Sequence, residues 1–165
     1  MDCIIRRAKP GDEAAMACIQ AESWKAGFCH ILSQEILERY TQTEKLTAMY
    51  RRMLEQGLGN GYLLSVQGTP HCIACWDATR EPDMPGYAEL ICIHSLQRNW
   101  RSGYGSRMME AVLRDMTAAG YSKVMLWVFE ENHRARRFYE ANGFTASGRT
   151  KDGFGAVEVC YEKNL

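Results

Sequence analysis

The sequence predicts an α+β chain: a mixed sheet with helices on both faces. Three observations carry that reading. Strand-like and helix-like segments follow in the order strand, two or three helices, three strands, helix, strand, helix, strand. The run KVMLWVF (Lys123–Phe129) is nearly all apolar, as in a central strand covered on both faces. The segment after Gly103 and Gly105 puts Met109, Val112, Leu113 and Met116 on one helical stripe, the pattern of a helix laid on a sheet.

The chain opens with CIIRRA (3–8), a short apolar-then-basic strand. Pro10, Gly11 and Asp12 mark a helix start, and Ala14, Ala17, Cys18, Ala21 and Trp24 then repeat at helical spacing. SQEILERYTQTEKLTAMYRRMLEQ continues as helix in two pieces and stops at the glycines of 57–61. YLLSVQG and HCIACWDA are two strands around a turn at Gly68, Thr69 and Pro70, and EPDMPG is a loop. YAELICIHSL is the longest strand expected, with a helix over 102–119 after it. Beyond Phe129, ENHRARRFYEANGF is a short helix ended by Gly143, which suits a left-handed cap. AVEVCYEKNL is the last strand. No repeat, linker or low-complexity tract breaks the order, so a single domain over 1–165 is expected.

At 165 residues the chain can bury a real core. Lys+Arg and Asp+Glu balance at 20 each, so net charge gives no support to nucleic-acid binding. No apolar run reaches the length of a membrane span, and MDCIIRRAKPGDE has no signal-peptide core. A cytoplasmic protein with neither membrane nor nucleic acid as partner is expected. Seven cysteines, an odd number without an export signal, fit free thiols. HCIAC (71–75) contains a C-x-x-C, but residues three apart on a strand point to opposite faces, and no second pair completes a zinc site. Small buried hydrophobes are the better reading of these cysteines, and no metal is expected.

WRSGYGS (100–106) lies between a strand and a helix. Glycine lets backbone approach a ligand closely, and amides at a helix start carry the positive end of the dipole. Together they suit a phosphate, with Arg98, Arg101 and Arg107 adding charge. The stretch fits neither G-x-x-x-x-G-K-S/T nor a three-glycine dinucleotide fingerprint, and a turn without any ligand explains the glycines equally well. Further on, Asn132 and Tyr139 are seven residues apart, two turns, so they share one helix face about 10 Å apart. Either both face a ligand, or Asn132 is an N-cap and Tyr139 is core.

AELICIHSLQRNWRSGYGSRMMEAVL followed by KVMLWVFEENHRARRFYEANGF resembles the GNAT superfamily of N-acetyltransferases. That family carries a Q/R-x-x-G-x-G/A turn after a strand, and later N-x-x-A-x-x-F-Y-x-x-x-G-F. Asn132, Ala135, Phe138, Tyr139, Gly143 and Phe144 stand in that register. The resemblance covers nearly the whole chain, and its opening helix, with ESW at 22–24, is similar to a bacterial subgroup acting on amino acids or small amines. Three positions depart from the family. Trp100 stands for Gln or Arg, Gln97 for a frequent proline, and Trp127 for the glutamate base of the ribosomal-protein acetyltransferases.

The resemblance implies the GNAT fold with a mostly antiparallel sheet, acetyl-CoA as cosubstrate, a primary amine (small molecule or peptide) as acceptor, and room for a homodimer. It implies that Arg101, Ser102, Gly103, Tyr104, Gly105 and Ser106 grip the pyrophosphate. Asn132 and Tyr139 then face the cofactor. The backbone of Ile93, His94 and Ser95 supplies oxyanion donors on a strand that splays to admit pantetheine. Tyr139 is the candidate acid toward the CoA sulfur, although a phenol of pKa about 10 needs help to protonate a thiol of about 8.5. Glu89 is the candidate base, with His94 second. Arg134, Arg136 and Arg137 are expected on a solvated helix face, one of them near the 3′-phosphate. Trp24 and Phe28 either line the acceptor pocket or are core. A rival reading is a non-catalytic acyl-CoA sensor of the same fold, which Tyr139 argues against; a thiol redox protein built on Cys72 and Cys75 is a third.

Overall fold

A computed structural model of the chain describes residues 3–165; the first two residues of the expected domain lie outside them. In chain order the elements are β1 (Cys3–Arg7), α1 (Glu13–Phe28), α2 (Gln34–Tyr40), α3 (Thr43–Glu55), β2 (Asn60–Val66), β3 (Thr69–Ala78), β4 (Ala88–Ser95), α4 (Tyr104–Ala118), β5 (Lys123–Phe129), α5 (His133–Ala141), β6 (Thr145–Gly153) and β7 (Ala156–Asn164). The strands form one seven-stranded sheet ordered β1-β2-β3-β4-β5-β7-β6. Every neighbouring pair is antiparallel except β4 and β5.

Strand alternation sorts the apolar side chains onto two faces. Leu64, Cys72, Ala74, Leu90, Val124 and Leu126 pack against Met108, Met109, Val112 and Met116 of α4, with Tyr139 of α5 in the same cluster. Leu63, Ile73 and Cys75 point the other way, onto Met16, Ala17 and Ile19 of α1 and Leu46 and Tyr50 of α3. Cys72 and Cys75 thus sit on opposite faces of β3, a geometry that rules out a bond between their sulfurs. On α1, Ala14 and Cys18 are exposed, contrary to the expected stripe. The buried positions are Met16, Ala17, Ile19, Ala21 and Ser23, because the larger Met and Ile win the buried face.

Three further differences have local causes. The β2–β3 turn is Gln67-Gly68 alone, both with positive φ, the two-residue hairpin that matches strand twist, so Thr69 and Pro70 already belong to β3. With ten residues β3 is the longest strand, and β4 has eight. The sequence order also lacks β6: TASGRTKDG has Ala146 as its one apolar side chain and no alternation, because β6 is an outer edge strand that buries almost nothing.

One break in the sheet positions the site. β4 and β5 are paired only at Ala88↔Val124 and Glu89↔Met125. Beyond that point β4 stays with β3 as far as Ser95, and β5 stays with β7 as far as Phe129. The two strands diverge into a fork.

Candidate active site

A single cleft of about 1260 Å³ runs through the fork. It is lined from the α4/α5 side by Gly103, Gly105, Asn132, Phe138 and Tyr139, and from the α1 side by Trp24, Phe28, Glu81, Glu89, Phe154 and Glu158. Ile91 to Ser95 form one arm of the fork and Trp127 to Phe129 the other. All the expected site residues except Ser102 line this cleft.

The glycines of the turn have two different reasons. Gly103 caps α4 at φ +81°, just after Arg101 at φ +64°, and a Cβ on Gly103 would meet nothing within 4 Å. Gly103 therefore supplies a left-handed bend beside open space. Gly105 supplies closeness: a Cβ there would stand 3.3 Å from the Phe138 ring, so α4 and α5 pack at this point. No side chain caps the start of α4 and no acidic residue lies in its first turn, which leaves the positive end of the helix uncompensated. Arg107 turns instead to the sulfur of Cys3, 3.1 Å away.

Trp100 holds the turn in another way. Its indole N–H donates to the Ser95 carbonyl at 2.9 Å, and the Arg134 guanidinium stacks 3.5 Å over its ring. Arg134 and Arg137 are exposed, as expected of a solvated helix face, while Arg136 is half-buried. Arg136 donates to the Tyr161 hydroxyl and to the Glu130 carbonyl.

Asn132 caps α5 and also borders the cleft. Its Oδ1 accepts from the Ala135 N–H at 3.2 Å. Tyr139 is 9% exposed among Phe138, Phe144 and Tyr161, and its hydroxyl has no hydrogen bond among the described residues. Burial pushes its phenol well above the ordinary value, with Cys92 adding to the rise and Arg134 opposing it. The environment therefore moves Tyr139 away from easy proton donation.

On the other face three carboxylates gather. Glu89, its side chain 2% exposed, receives the Arg80 backbone N–H at 3.0 Å, its Nε at 3.1 Å and its Nη2 at 2.6 Å. Burial alone would raise its pKa, but the hydrogen bonds and charge of Arg80 outweigh that and hold it below the ordinary carboxylate value. A carboxylate held at both oxygens is a weak proton acceptor, so the structure weakens the expectation that Glu89 is the base. The second candidate is engaged as well, since the His94 Nε2 faces the Trp24 N–H at 3.4 Å. At the position of the missing β5 glutamate, Trp127 donates to Glu81 at 2.9 Å, and Lys151 reaches the same oxygen at 3.3 Å. A carboxylate is brought there from the β3–β4 loop.

Sequence reasoning missed Glu158, on β7 opposite Phe129, and Phe154, at the tip of the β6–β7 hairpin. The signal for Phe154 was GFG, an aromatic between glycines where a turn needs no large side chain. Phe154 holds φ +56° and sets its ring edge-on to Trp24 (5.3 Å) and Tyr40 (4.9 Å). With Phe28 and Phe129 these rings wall one chamber.

A cleft that opens a mostly antiparallel sheet, with uncapped helix amides on one side and a chamber on the other, belongs to a two-substrate transferase. Residues 26–144 match the acetyltransferase (GNAT) family, and the chain belongs to it: it is an N-acetyltransferase with acetyl-CoA as donor. The Mycobacterium tuberculosis protein named Probable N-acetyltransferase Rv2775 is 26% identical over 149 residues, 88% of this chain and 82% of that one. The PaiA N-acetyltransferase of Thermoplasma acidophilum, solved with coenzyme A, superposes with TM-score 0.82 at 21% identity over 100% of both chains. The Salmonella typhimurium protein YncA, solved with acetyl-CoA as its cofactor, gives 0.76 at 15% identity over 100% of this chain and 95% of that one. At these identities the two structures speak for the fold. Among the described residues no helix is long and apolar enough to cross a membrane.

Proposed function

We propose that acetyl-CoA lies along α4 and α5, that a small-molecule primary amine enters from the α1 face, and that the acetyl group passes between them through the fork. The observation that carries this reading is the end of β4–β5 pairing at Glu89 and Met125. It opens one path between the two sides of the sheet.

In this reading the amides of Gly103, Tyr104, Gly105 and Ser106 bind the pyrophosphate, with Arg101 beside them. The β4 arm from Ile93 to Ser95, freed from β5, offers backbone groups to pantetheine and to the thioester oxygen as its charge grows. Asn132 orients the donor. Tyr139 stays neutral across the working pH range because burial raises its phenol. It acts chiefly by donating a hydrogen bond to the departing sulfur, where full proton transfer from so weak an acid would be uphill. Glu89, clamped by Arg80, fixes the closed end of the fork as a positioning residue.

The test is release of free CoA from acetyl-CoA, followed with a thiol reagent over a panel of amines. Release that depends on the amine is expected. No release with any amine would contradict the reading.

A further inference from the structure

Of the three carboxylates on the acceptor side, two are engaged. Arg80 holds Glu89, and Trp127 and Lys151 hold Glu81. Glu158 is different. It lines the cleft, is half-buried, and has neither a hydrogen bond nor an ion pair within 4 Å among the described residues. Gly153 borders it: a Cβ there would collide with the Glu158 carboxylate, and that flexible side chain would have to swing aside. The backbone partner of Glu158 is Phe129, one wall of the aromatic chamber.

An unpaired carboxylate half-withdrawn from water is costly unless something cationic meets it. Burial raises Glu158 above the ordinary carboxylate value, Lys151 and Arg80 oppose the rise, and Glu89 and Glu81 add to it. The chamber beside it is apolar and aromatic, suited to the body of an amine rather than to a second charge.

Resting on the acetyltransferase reading above, we propose that Glu158 binds the acceptor's ammonium and takes its proton, and that the site selects amines with an apolar body and no α-carboxylate. R–NH3⁺ gives one proton to the Glu158 carboxylate and becomes R–NH2. Its lone pair forms the N–C bond at the thioester carbonyl, and the C–S bond breaks. The nitrogen loses a second proton, which ends on the CoA sulfur, and Glu158 returns its proton to water. An α-carboxylate on the acceptor would be drawn up against Glu158, with Glu81 and Glu89 nearby, and like charges so placed repel.

The experiment uses phenethylamine and phenylalanine, which differ by that carboxylate, with the wild type, Glu158→Gln and Gly153→Ala. For the wild type, kcat/KM for phenethylamine is expected to exceed that for phenylalanine at least about tenfold. Glu158→Gln is expected to lower it about 100-fold near neutral pH, with the deficit shrinking as pH rises toward the amine's own pKa, where the acceptor is already neutral. Gly153→Ala, which displaces the carboxylate but keeps it, is expected to fall between the two. The stabilisation by acetyl-CoA should survive in both variants, which also reports that they fold. Glu158→Gln with wild-type rates and pH profile overturns the proposal, as does a wild type that prefers phenylalanine; in either case the acetyltransferase reading stands. A wild type that acetylates no amine sinks both.

Discussion

Gly105 of α4 stands so close to Phe138 of α5 that a Cβ on the glycine would lie 3.3 Å from the ring. This contact ties the start of α4 to the helix that carries Asn132 and Tyr139, so the two halves of the donor side are built as one unit. Gly105→Val is expected to cost about 1–3 kcal/mol by overpacking, and Gly105→Ala less, since only one carbon must be accommodated. Denaturant unfolding measures both. Equal stability of Gly105→Val and wild type would show that the helices are not held together here.

Tyr139→Phe keeps the buried ring and removes a hydroxyl that has no partner among the described residues. Turnover should fall about 10- to 1000-fold, while acetyl-CoA affinity changes little, because the hydroxyl acts when charge develops on sulfur. The turnover number and the acetyl-CoA dissociation constant, measured separately in both proteins, check this. Unchanged turnover with chemistry rate-limiting removes Tyr139 from the mechanism.

Arg80 and Glu89 are unequal partners, with side chains 63% and 2% exposed. Arg80→Ala strands a buried carboxylate and should cost about 2–3 kcal/mol near neutral pH. Glu89→Gln leaves only an exposed cation without its ion pair and should cost about 1 kcal/mol. Because Arg80 holds the folded Glu89 pKa below its unfolded value, the stability from this pair is present above the ordinary carboxylate range and is lost as pH falls through the folded pKa. The gap between wild type and Arg80→Ala should therefore narrow in acid. Melting curves from neutral to acid pH test it, and a gap that widens would contradict the assignment.

The legible parts of the fold were those with strong periodicity or an apolar run. Met109, Val112 and Met116 revealed α4, and Lys123–Phe129 revealed the strand that forms one arm of the fork. The polar edge strand β6 was not legible, because a strand that buries nothing carries no alternation. In the site, Gly103 and the Asn132–Tyr139 pair were readable because local spacing fixes them. The Arg80 clamp and the Glu81–Trp127 bond were not, since they join residues that only the sheet brings together. The same holds for Phe154, whose ring reaches Trp24 across 130 positions of sequence.

Phe154 trades stability for shape. Its φ of +56° disfavours an aromatic residue, and Asn accepts that backbone more readily. Phe154→Asn should leave stability within about 1 kcal/mol of wild type while raising KM for an apolar amine several-fold, about 1 kcal/mol of lost contact. A fall in KM would mean that the ring blocks the chamber rather than walls it.

Whether the Gly103 bend holds the donor's pyrophosphate is read from the shift in melting temperature that acetyl-CoA produces in wild type and in Gly103→Val. A Cβ at Gly103 points into open space but at a φ of +81°, so the variant should melt cooperatively at a somewhat lower temperature, with a cost of about 1–2 kcal/mol. Wild type should rise with acetyl-CoA concentration as a ligand bound to the folded state requires, and the variant should not respond. A variant that folds and shifts as wild type does would place the pyrophosphate elsewhere.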